Sequence, residues 1–353
     1  MSPLRLQVTA TGMVSSVGLS AAASCAAIRA GLSAFEALPY RDDMRKPIVG
    51  SPVPVLPWDM GRQERLVDLL AMAVADVLHD VPADRLPRVP LLVAVAETDR
   101  PGGGADFSGE LVSQVERRLE RTFHPHLSRV LHGGSAAGFQ TLRLAQELLG
   151  ERRVSACLVC AVDSLLNAQT LLWLQQKQRL KTARNSDGII PGEAAACVWV
   201  EDHPAPRRPV LVTVRGLGLA REPAPLLSEE PLRGVGLAQA ARAALEEAGL
   251  HMQDMAVRLS DASGESYGFK EQTLALTRLL RVKRETMPLW LCAESIGEVG
   301  AAASLCQVVR AAQASLRGYE PGAHALCFAS SVPGERAAAV LQWPNRPTLE
   351  EGT

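Results

Sequence analysis

A short run occurs twice in this chain at matching places. Pro191-Gly192-Glu193-Ala194-Ala195-Ala196 returns as Pro333-Gly334-Glu335-Arg336-Ala337-Ala338. Each copy follows a helical pattern and an apolar strand pattern, and each leads into a further strand. Val8-Thr9-Ala10-Thr11-Gly12 is likewise echoed by Val212-Thr213-Val214-Arg215-Gly216. Such repetition calls for two similar αβ halves, with apolar strands packed between helices in covered layers. An extra segment after Asp163 in the first half is the main difference between them. The charged, proline-bearing run Asp202–Arg208 marks the boundary, dividing the chain into 1–203, 204–345 and a loose tail at 346–353.

The densest signal inside the first half is Val130 to Ser164. His132-Gly133-Gly134-Ser135 reads as a tight loop, where glycines permit backbone angles that other residues avoid. Leu142, Ala145, Leu148 and Leu149 recur at helical spacing, predicting a helix over Ala136–Leu149 that Gly150 can stop. Ser155–Val162 is nearly all apolar, as in a strand covered on both faces. A small residue between such a loop and a helix sits where free N–H groups favour an anion or a nucleophile.

The remaining elements follow from periodicity. Leu4–Ala10 alternates as a strand and precedes an alanine-rich helix, Ala21–Ala30, ended by Gly31. Residues 39–63 are proline-rich and read as a surface loop. Leu66–Leu78 is an amphipathic helix and Val89–Ala96 an apolar strand. Glu97–Ser108, with Gly102-Gly103-Gly104, reads as an exposed flexible loop. Leu111–Arg121 and Leu165–Thr182 are helical. In the second half, strands are expected at Pro209–Leu219, Ala256–Ser260, Ala325–Ala329 and Ala337–Gln342. Helices are expected at Leu237–Ala248, Glu271–Leu280 and Ala301–Leu316.

Composition removes several function classes. The net charge of −1 supplies no basic field for nucleic acid or anionic lipid, and aromatics at 4% argue against base-stacking surfaces. The basic cluster Arg278–Arg284 reads as solvated helix surface. The seven cysteines lie scattered in apolar runs, which suits reduced buried thiols in the cytoplasm rather than a disulfide framework. Cys157 and Cys160 form a CxxC within one strand, where side chains three apart face opposite sides, so no metal site is expected there. The N-terminus is read as a strand rather than a signal peptide, and no apolar run approaches the roughly 20 residues that span a bilayer.

Three segments carry a family resemblance. Thr11, Gly12, Val14, Ser15, Gly18, Gly31 and Ser33 match the opening of β-ketoacyl synthases, members of the thiolase-like family. Asp187, Gly188, Gly192 and Glu193 match that family's "DG-V-GEGA" hairpin. Ser135-Ala136-Ala137-Gly138 stands where the family reads Cys-x-Ser-Gly, ahead of the same helix and strand. The resemblance spans nearly the whole chain. It implies an α/β, thiolase-like duplicated fold, layered αβαβα, with two mixed five-stranded sheets. It also implies dimerisation through the strand after the nucleophile helix, here Ser155–Val162.

The family's condensing chemistry uses one cysteine and two histidines. A thiol suits the task because it deprotonates far more readily than a serine hydroxyl. Here Ser135 takes the cysteine's place. Ser263, within Asp261-Ala262-Ser263-Gly264, takes that of the first histidine. Gly297 takes that of the second, with Cys292 at the family's lysine. No histidine lies between His251 and His324, and no cysteine between Cys25 and Cys157, so no one-residue slip restores the set. Ser135 as a substitute nucleophile would need a base, for which His132, Glu265, Glu294 and Glu298 are the candidates. Its simpler role is a helix cap.

The resemblance therefore implies a catalytically inactive scaffold that binds a protein partner. One such relative is the chain-length-factor type, paired with an active synthase. Another is a group of shortened thiolase-like proteins associated with type VI secretion effectors, which also lack both histidines. The expected partner is an effector, a chaperone or an active synthase, in a homodimer or heterodimer. The alternative is an acyltransferase, thioesterase or 3-oxoacyl-ACP synthase-type enzyme using Ser135. Neither reading calls for a cofactor or a metal.

Overall fold

The computed structural model describes residues 4–344 apart from 80, 82, 104–108, 203–208 and 285. The first half runs β1 (Leu6–Ser15), α1 (Ala21–Arg29), β2 (Glu36–Arg41), β3 (Pro47–Gly50), α2 (Arg62–Leu78), β4 (Leu91–Val95) and α3 (Leu111–Leu119). It continues with β5 (Arg129–His132), α4 (Ala137–Gly150), β6 (Ala156–Ser164), α5 (Ala168–Gln176) and β7 (Glu193–Glu201). The second half has β8 (Val212–Arg221), α6 (Val235–Ala248), β9 (Val257–Ser260), α7 (Ser266–Leu279) and β10 (Leu289–Leu291). The one-turn α8 (Ala293–Ile296), α9 (Ala303–Arg317), β11 (His324–Ser330) and β12 (Glu335–Gln342) complete it.

The strand order is β10-β9-β11-β12-β8-β1-β7-β6-β4-β5. Read outward from the centre, the two sides repeat each other: β1, β7, β6, β4, β5 against β8, β12, β11, β9, β10. On each side a run of antiparallel strands gives way to parallel ones. Two separate five-stranded sheets were expected, and the outcome is one ten-stranded sheet. The two fives join through Leu6↔Val214, Gln7↔Thr213 and Val8↔Val212, and this pairing satisfies backbone groups that two free edges would leave open.

Alternation along the strands sorts the core into layers. Cys157, Val159 and Ala161 of β6 join a central cluster, as do Ala325, Cys327 and Ala329 of β11. Helices α4 and α9 fill that same cluster, with Leu142 and Leu305 fully buried. The other face of the first half, including Cys160 and Trp199, packs on α2 and α3. The other face of the second half, Leu326, Phe328, Ala338 and Val340, packs on α6. Cys157 and Cys160 thus face opposite layers, and all seven cysteines are free and buried.

The echoed glycines have matching duties. A Cβ on Gly12 would lie 2.1 Å from the Ala73 carbonyl of α2, and one on Gly216 would lie 2.1 Å from the Ala244 carbonyl of α6. In both halves the strand touches the backbone of its outer helix at this point.

Several local expectations change. Residues 39–63 are not all loop, because they contribute to the β2–β3 hairpin. Its Leu38 and Ile48 pack against Leu166, Leu171 and Leu174 of the extra segment. The helix expected over Leu165–Thr182 is confined to α5, which Asn167 caps by accepting from Thr170 N at 3.0 Å. Glu97–Ser108 is not uniformly exposed, since Glu97 and Arg100 are buried, while 104–108 lie outside the described residues. The expected dimer strand, β6, has β4 and β7 on its two sides and offers no edge; the terminal strands are β5 and β10. The expected boundary, from His203 to Arg208, and the tail at 346–353 also lie outside the described residues.

Gly12→Ala and Gly216→Ala are each expected to lower stability by about 1–3 kcal/mol, because the added methyl meets backbone that cannot move aside. Urea denaturation with an unchanged m-value is the measurement.

Candidate functional site

The loop from β5 into α4 is shaped by backbone contacts that a side chain would block. Gly134 has φ +61°, and a Cβ there would lie 2.0 Å from a Glu97 carboxylate oxygen. Gly138, on the first turn of α4, would place a Cβ 2.2 Å from Ser304 Oγ, so its absence lets α4 and α9 meet. Ser331, from the turn between β11 and β12, clasps the loop. Its hydroxyl accepts from Ala136 N at 2.9 Å and donates to the Gly133 carbonyl at 2.5 Å.

Ser331 also changes the role expected of Ser135. Neither Gly133 before the short turn Gly134–Ala136 nor Ala136 before α4 supplies a side-chain cap, and the Ala136 N–H is met by Ser331. Ser135 is therefore not the cap. It is buried and lines a cleft of about 750 Å³, counting the open mouth. His132 does not line that cleft; its Nδ1 lies 3.2 Å from the Ala96 carbonyl, which fixes the ring on backbone.

The candidate partners of Ser135 divide. Ser263, Glu265 and Glu298 line the cleft beside Ser135. Glu294 and Gly297 line a neighbouring one with Phe35 and Lys181. Gly297 has φ +70° and ends α8, and a Cβ there would lie 2.6 Å from the Ile190 carbonyl. The adjacent Glu298 presents its carboxylate to the Ser135 cleft, accepting from Gly300 N at 2.9 Å and from the Ser263 hydroxyl. Glu265 is committed to Arg179, with bonds of 2.9 and 2.8 Å.

Charged residues that the sequence reading did not single out make up the rest of the site. Arg100 holds Asp163, the penultimate residue of β6, through bonds of 2.9 and 2.5 Å. Asp163 also accepts from Ala301 N at 2.9 Å, tying the two halves together. Arg336 bonds Glu271 at 2.7 Å and the Tyr267 hydroxyl at 2.9 Å. Asp261, just beyond β9, accepts from Ser330 N at 2.7 Å. A charged residue in or just after a buried apolar strand, as with Asp163, Asp261 and Arg336, was the available signal.

Burial sets the protonation of this cleft. It pushes the Asp261 and Glu298 carboxyls up to about 7, and moves Glu97 upward as well. Burial also holds thiols protonated, with Cys157 pushed up to about 12. Among the described residues no histidine or cysteine lines the cleft, and no three His, Cys, Asp or Glu side chains are placed to hold a metal ion. The arrangement offers a serine hydroxyl, hydrogen-bonding carboxyl groups and three committed arginines. None of the described helices is long and apolar enough to cross a membrane.

A duplicated sheet around a shared helical layer, with its cleft at the N-terminus of a central helix, is the thiolase-like fold of ketosynthases. The chain matches the ishigamide ketosynthase/chain length factor at TM-score 0.79 and 18% identity, over 97% of this chain and 100% of that one. An acyl-carrier protein in complex with its ketosynthase bound to the hexaketide, from a type II polyketide synthase, gives 0.79 and 16% over 97% and 100%. A ketosynthase in complex with its chain length factor from Xenorhabdus doucetiae gives 0.70 and 14% over 97% and 98%. No protein-family model and no curated protein matches the sequence.

A pH dependence follows. Folded Asp261 and Glu298 keep their protons to near pH 7, whereas in the unfolded chain they lose them near pH 4. The folded state binds more protons in that window, so stability falls as pH rises through it. The loss is on the order of 1 kcal/mol or more per group. Denaturant midpoints should drop between about pH 4 and pH 7, and the drop should shrink in Asp261→Asn/Glu298→Gln.

Proposed function

We propose that this chain is a catalytically inactive scaffold of the β-ketoacyl-synthase type, acting in the cytoplasm by binding a protein partner. One observation carries this reading. The cleft around Ser135 presents carboxyl groups and arginines already committed to carboxylates, where the resemblance calls for a thiolate between two imidazoles. Ser135, Ser263 and Gly297 stand at the family's cysteine and histidine positions, and none supplies the missing chemistry. The burial that keeps the cysteine thiols protonated leaves them unsuited to replace it.

The partner is an active synthase, an effector or its chaperone, and the role is that of an accessory or adaptor. Among similar structures, a ketosynthase is held in complex with its chain length factor. The same kind of pairing is proposed here, as a heterodimer or a homodimer. The departures at the nucleophile and at both histidine positions favour effector loading in type VI secretion as the setting. Strand β5 supports a paired form, because it bonds β4 on one side and is one of the two terminal strands of the sheet, with β10 at the other end. A second strand can add to such an edge. Light scattering on the protein purified from its own cell should give twice the 37.7 kDa chain mass, or a stoichiometric complex. A lone monomer would overturn the pairing.

A second reading rests on the Ser135 side chain, which lines the cleft with Asp261 and Glu298 and caps no helix. In that reading Ser135 accepts an acyl group, as in an acyltransferase, thioesterase or synthase-type enzyme, with a carboxylate as base. Intact-mass spectrometry after incubation with acyl-CoA and acyl-carrier thioesters separates the two. The scaffold reading expects no adduct. An adduct present in the native chain and lost in Ser135→Ala establishes the enzyme reading instead.

A further inference from the structure

The Ser135 cleft holds more carboxyl groups than arginines. Its three arginines are each committed to one carboxylate: Arg100 to Asp163, Arg179 to Glu265 and Arg336 to Glu271. Three further carboxyl groups line the cleft beyond these pairs, on Glu97, Asp261 and Glu298. Glu97 lies 3.9 Å from Arg100, whose two terminal nitrogens already hold Asp163. Asp261 and Glu298 accept backbone N–H bonds, from Ser330 and Gly300. Without a cation to meet them, Asp261 and Glu298 keep their protons up to about pH 7, and their ionised forms call for a positive partner.

A second observation points the same way. Gln272 lines this cleft at 4% exposure; its Nε2 donates to Ser260 Oγ at 2.5 Å, and its Oε1 is buried without a partner. The vacant positions are thus mainly acceptors. Arg100 Nε is a buried donor also left over, but it belongs to a guanidinium that already serves Asp163. The lining also has apolar members, among them Trp173, Leu226 and Val332. A neighbouring hollow of about 690 Å³ shares Glu97, Arg100, Trp173 and Val332 and adds Asp99, Pro225 and Leu227. The described residues contain no group of three His, Cys, Asp or Glu side chains that could hold a metal ion.

We propose that the cleft is a binding site for a small organic cation, an ammonium or guanidinium head on an alkyl stem. Glu97, Asp261, Glu298 and Gln272 Oε1 take the head, and Trp173, Leu226 and Val332 take the stem. Charge-assisted hydrogen bonds to such a head supply the donors these groups lack. A carboxylate ligand of the same length would meet like charge. The site does not depend on the partner reading, which is tested by oligomeric state.

The test is calorimetry on the full chain with n-pentylammonium and n-butylguanidinium, against pentanoate and pentanol as matched stems. Both cations should bind and raise the melting temperature, and pentanoate and pentanol should do neither. Glu97→Gln/Glu298→Gln should weaken cation binding by about tenfold or more, since two charge partners are lost. The melting temperature of the unliganded double variant reports that its fold persists, and Gln can still accept the Gly300 N–H. Absence of cation binding at millimolar concentration, equal binding of pentanoate, or cation binding unchanged in a folded double variant would each overturn the proposal.

Discussion

The central helical layer is the constraint on which the architecture depends. Each group of five strands is apolar on both faces, so each needs cover on two sides. The outer faces have helices of their own, α2 and α3 on one and α6 on the other. The inner faces share one cover, built mainly from α4 and α9. Sharing requires these helices to come close, and Gly138 against Ser304 is where they do. The site follows from that packing, because the N-terminus of α4 opens where loops from both halves converge.

Much of this was legible in the chain, for a physical reason. Strands buried on both faces must be apolar throughout, and β6, β7, β11 and β12 announce themselves that way. The echo of Gly12 in Gly216 was legible because both strands press against helix backbone. The β2–β3 hairpin was not, because its prolines sit in short strands that pair only with each other, where the lost N–H is tolerated. The terminal strand β5 escaped for a related reason: Arg129 and His132 give it no apolar alternation.

The site was legible only in part. Ser135, Ser263 and Glu265 could be placed by motif, and Glu298 by its neighbourhood. Glu97 and Arg100 could not, because a glycine-rich segment reads as exposed when its sequence is taken alone. Their burial is a tertiary property, set by Asp163 and by the space left at Gly134. The cap expected at Ser135 failed for the same reason. The hydroxyl that meets the start of this helix belongs to Ser331, from the far end of the chain.

The Ser331 clasp also bears on the order in which the molecule takes shape. The bond from Ser331 to the Gly133 carbonyl spans 198 positions along the chain, among its least local contacts. A contact of that span carries a large loop-closure cost, which the packing of both halves must offset. The Ser135 loop therefore cannot be complete until the second half of the chain has brought β11 and β12 to it. A chain whose first half had already collapsed around β1, β6 and β7 would still lack the cleft. Occupancy of that cleft, by whatever fills it, is a sign that folding has run to completion.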